Sequence, residues 1–144
     1  MTDVDTVTSE MEKWGKTNPV FGLRLKGDPK GYLLILKDEF CSKDPLGSLD
    51  VTVLHSFILE NILGVNKEAQ EKQANLKYIK DANEAWKKVS DPDSNILFLM
   101  NSTKLDQIRI VAKDHLLMPQ KSTFFYPKVV SGLAFHAVGP EDKL

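Results

Sequence analysis

The 144-residue chain predicts an α+β fold: a mixed β-sheet with three helices. Three observations carry that prediction. Two strand-like segments, residues 20–26 and 32–37, flank the turn sequence Gly27-Asp28-Pro29-Lys30-Gly31, the pattern of an antiparallel hairpin. From residue 50 onward, helix-spaced segments alternate with short strand-like ones, which implies parallel β-α-β-α-β units with right-handed crossovers. Residues 96–100 (ILFLM) form a continuous apolar run between turn residues, as a strand covered on both faces would.

Taken in order, residues 1–18 are polar and weakly patterned, and read as a short helix or a mobile lead-in to a single domain over 19–144. In residues 20–26, Phe21, Leu23 and Leu25 alternate with Gly22, Arg24 and Lys26, which predicts a half-buried strand. Residues 43–47 break the pattern. Asp50 then stands where an N-cap belongs, and Val51, Leu54, Ile58 and Ile62 recur at helical spacing, with Val53 and Phe57 widening the stripe. Gly64 is placed to end that helix. After a polar stretch at 66–75, residues 76–80 predict a short strand. Asp81 with Glu84 opens a second helix that turns Ala82, Ala85, Trp86 and Val89 inward. Thr103 with Asp106 opens a third, expected to face the core through Leu105, Ile108, Ala112 and Leu116. Residues 132–138 complete the order β-β-α-β-α-β-α-β.

Composition narrows the function classes. Hydrophobic residues make up 42% and charged residues 27%, the balance of a globular domain rather than a disordered one. The net charge of −1 gives no field that would gather nucleic acid or a membrane surface. Lys104, Arg109, Lys113, Lys121 and Lys128 against Asp106 and Asp114 leave a local +3 (five minus two), too small a patch to argue for nucleic acid. Cys41 is the single cysteine, so no internal disulfide can form and a reducing compartment fits. The longest apolar runs fall far short of a membrane span, and the acidic, polar start is unlike a targeting peptide. A cytoplasmic location without a membrane partner is the expectation.

The most concentrated chemistry lies in residues 118–132, MPQKSTFFYPKVVSG. Pro119 and Pro127 deny it regular structure, while Phe124, Phe125 and Tyr126 carry too much apolar area to be left in water. Such an anchor would hold Lys121, Ser122, Thr123 and Lys128 in one neighbourhood, and ammonium, hydroxyl and free N–H groups are what a phosphate or carboxylate needs. Asn101 and Lys104, at the carboxyl end of the apolar strand, are placed to join them. The alternative is a structural connector with solvated lysines. None of the three histidines, His55, His115 and His136, has a second ligand at metal spacing. Phosphate-loop, nucleophile-elbow and dinucleotide motifs are also absent. No catalytic residue, metal or cofactor is therefore assigned to this chain.

Four blocks carry a family resemblance. Residues 48–64 (SLDVTVLHSFILENILG), 76–85 (LKYIKDANEA), 98–110 (FLMNSTKLDQIRI) and 117–135 (LMPQKSTFFYPKVVSGLAF) resemble, in order, the carboxyl-terminal part of a prokaryotic family. That family is designated domain of unknown function one-zero-one-five. Its full-length members carry an Ala-Asp-Gly-His-His-Arg stretch, similar to the site of free-serine kinases of the ParB and sulfiredoxin-like superfamily. This chain has no adjacent histidines, and it departs from the family at Asn61 and Ser102, where proline is usual. The resemblance implies a phosphate-related setting, with a nucleotide bound in the full-length protein and an amino-terminal domain as partner. Two functions compete. In the first, Lys121, Ser122, Thr123, Lys128, Asn101 and Lys104 form an anion half-site. In the second, the chain is a non-catalytic interaction domain whose partner is that amino-terminal domain or a second copy.

Overall fold

A computed structural model describes residues 1–73, 75–119 and 122–123. The chain runs α1 (Val4–Trp14), β1 (Val20–Leu25), β2 (Gly31–Ile35), a 3-10 turn (Asp38–Phe40), α2 (Asp50–Val53) continuing as a π-helix (Leu54–Ile62), α3 (Lys67–Glu71), α4 (Ala82–Lys88), β3 (Ile96–Met100) and α5 (Leu105–Lys113). The class is α+β. The described sheet has three strands in the order β2-β1-β3, and both pairings are antiparallel.

Strand alternation distributes the side chains between two helical layers. Val20 and Gly22 of β1, Leu33 of β2, and Leu97 and Leu99 of β3 face α1 and α4. Phe21, Leu34, Leu36 and Phe98 face the other way, onto Val53, Leu54 and Leu59. Residues 1–18 are thus more than a lead-in. Asp3 caps α1 by accepting from the Thr6 N–H at 2.8 Å, and Val4, Val7 and Met11 are buried against the sheet. The packing is close enough to require glycine at Gly22. A Cβ there would lie 2.7 Å from Val7 Cγ1 and 2.9 Å from Met11 Sδ.

The hairpin forms as its sequence predicts, with Val20 opposite Ile35 and Arg24 opposite Gly31. The parallel units do not form among the described residues. Residues 76–80 have no strand partner; Leu76 packs with the π-helix cluster while Ile79 packs with the α1 cluster. An extended segment that carries the chain from one layer to the other imitates strand alternation without a ladder. β3 then returns antiparallel to β1 and lies at an edge of the described sheet, with Ile96 and Met100 at its two ends exposed. The strand expected at 132–138 lies outside the described residues.

The helices also differ from the expected three. Five α-helices are present among the described residues, and the second changes register. Leu63 N–H donates to Ile58 C=O, a bond of π type, and a turn of about 4.4 residues brings Leu54 and Leu59 to the same face. Of the expected stripe, Val51, Val53 and Leu54 are buried and Ile58 packs beside them, but Phe57 and Ile62 are exposed. The helix starts at Asp50 itself, with Leu49 as N-cap, while Gly64 ends it at φ +69° as expected. Asp81 Oδ1 accepts from Glu84 N–H at 2.7 Å, and Ala85, Trp86 and Val89 are buried as predicted. In α5 the buried residue is Val111. Leu105, Ala112 and Leu116, expected inside, are exposed, because the face that meets Leu49 and Val51 is turned by about 120° from the one assumed.

Candidate functional site

The loop from Asn101 to Lys104 joins β3 to α5 and meets the end of α1. A helix end leaves its last carbonyls without partners inside the helix, and they carry partial negative charge. Asn101 Nδ2 donates to Met11 C=O at 3.1 Å, and Lys104 Nζ donates to Gly15 C=O at 2.7 Å. The Met11 carbonyl already accepts from the Gly15 N–H at 2.8 Å, so the Asn101 amide adds a second bond to it, while the Lys104 ammonium partners the Gly15 carbonyl just past the helix, both from a loop about ninety residues away in sequence. Lys104 also anchors α5 from its backbone N–H, which donates to Gln107 Oε1 at 2.9 Å.

The hydroxyls of this region are similarly engaged. Thr103 Oγ1 donates to Ser122 C=O at 2.5 Å, and Ser122 Oγ donates to Pro119 C=O at 2.6 Å. Ser122 is buried and Thr123 is exposed. Lys121 and Lys128, the central lysines of the sequence-based site, lie outside the described residues, as do Phe124, Phe125 and Tyr126. Of the six expected site residues, Asn101 and Lys104 meet at the α1 terminus, and Ser122 joins them through Thr103.

Beside Lys104 is a cavity of about 20 Å³ bounded by Asp50, Asn101, Ser102, Thr103, Lys104 and Gln107. That volume suits one water and is too small for a phosphate. Its ionisable wall includes an acid. Burial pushes the Asp50 carboxyl from 3.8 up to about 6, while the Lys104 charge pulls the other way. The sequence marks Asp50 only as a cap, and its burial follows from a remote contact: Leu49 and Val51, on either side of it, pack on Val111.

The sign of the linked pH effect is fixed by that direction. With the folded value above the unfolded one, folding takes up a proton between about pH 4 and 6, so this contribution to stability is present below the window and lost as pH rises through it. Asp50→Asn should therefore stabilise the protein at pH 8 by about 1–2 kcal/mol, reduced from the full linkage value for partial solvent access, and by little at pH 4. Denaturant titrations of both proteins across that range check it. A wild-type-minus-variant difference that does not change with pH would exclude a raised Asp50.

The arginine and histidines near the core have structural surroundings. Arg24, on the α1 face of β1, stacks 4.6 Å from the Trp86 ring centroid and donates from Nη1 to Trp86 C=O at 2.6 Å. Half-burial lowers the His55 pKa, which favours the neutral ring, and His115 at φ +54° follows the end of α5. Among the described residues, no group of three or more His, Cys, Asp or Glu side chains is placed to hold a metal. No described helix is long and apolar enough to cross a membrane. Comparison with protein-family models, curated proteins and solved structures gives no match to this chain.

Proposed function

We propose that this chain is a non-catalytic interaction domain and that the junction between β3 and α5 is a structural joint. The supporting observation is that Asn101, Thr103, Lys104 and Ser122 each spend a side-chain donor on a backbone carbonyl. Those bonds fix the side chains against the α1 terminus and residues 119–122, and an anion drawn to the donors left over on Asn101 and Lys104 would sit beside the Asp50 carboxylate. The exposed surface points instead to association. Leu105 (66% exposed), Ile110 (51%) and Leu117 (88%) leave apolar area in water on and just after α5. Under this reading the partner is the amino-terminal domain that the resemblance implies, or a second copy, in a prokaryotic cytoplasm.

The competing anion half-site, with a nucleotide bound in the full-length protein, makes opposite predictions for one variant. On the interaction reading, calorimetric titration of the chain with inorganic phosphate or ATP gives no saturable heat. Lys104→Ala then loses about 0.5–1 kcal/mol of stability, the usual worth of a charge at a helix end. Saturable binding that Lys104→Ala abolishes without changing the melting temperature would favour the half-site and defeat the present reading.

A further inference from the structure

We draw no further inference here: the strongest candidate, the exposed apolar patch of Leu105, Ile110 and Leu117 on and just after α5, already belongs to the interaction reading above, and nothing in the structure shows which partner covers it.

Discussion

Phe21→Ala is expected to lower the unfolding free energy by about 3–5 kcal/mol, as for other large-to-small changes at a filled core site. Phe21 is 2% exposed and sits on the central strand, where it packs with Val53, Leu54 and Leu59 from the second helical layer. Both neighbouring strands hold its backbone, opposite Leu34 on one side and Met100 on the other, so the site cannot collapse to fill the void. Phe57→Ala is the matched control. Phe57 belongs to the same layer but is 40% exposed, with its main aromatic contact to Phe40, itself 53% exposed, at 6.2 Å between ring centroids. Its loss should cost about 1 kcal/mol or less. Urea unfolding of the two variants checks the ordering. Equal losses would mean that the helix turns Phe57 inward in α register, contrary to the π-helical arrangement seen here.

That contrast marks how far the sequence can be read. The hairpin is legible because turn chemistry and period-two alternation are local, and both act on the same ten or so residues. The second long helix is legible at its ends, where Asp50 and Gly64 stand, and at Val51, Val53, Leu54 and Ile58 of its inner face, but not at Phe57 and Ile62. Val51, Leu54, Ile58 and Ile62 satisfy a 3.6-residue period, whereas the sheet surface formed by Phe21, Leu34 and Phe98 selects Leu54 and Leu59. Helix register there is decided by a tertiary partner. Residues 76–80 show the same limit in another form: Leu76 and Ile79 serve two different clusters, and sequence alternation cannot separate a crossing chain from a strand.

The candidate site is legible in the sequence as a place. Its position at the carboxyl end of an apolar strand, before a helix, brought Asn101 and Lys104 into view. Both residues face the α1 carboxyl terminus, and the first eighteen residues showed too little apolar patterning to fix a helix there. With the receiving helix not established, an amide and an ammonium beside it read as unspent donors. Asp50 was missed for the related reason that burial comes from Val111, some sixty residues on.

Leu99→Ala should cost about 2–5 kcal/mol although β3 lies at an edge of the described sheet. An edge strand loses backbone partners on one side, and that has no bearing on how well its inward side chains are covered. Leu99 is 7% exposed and stands opposite Gly22, the glycine that lets α1 approach the sheet, and it shares a cluster with Val7, Met11 and Trp86. Removing it opens a void between α1 and the sheet at their closest point, where Val7 and Met11 already pack over Gly22. The neighbours on the same strand provide the comparison. Ile96 and Met100 project to the opposite face and are 39% and 37% exposed, so Ile96→Ala and Met100→Ala should each cost about 1 kcal/mol. A loss below about 1 kcal/mol for Leu99→Ala would mean that α1 does not cover the strand, and that the amino-terminal helix contributes little to the core.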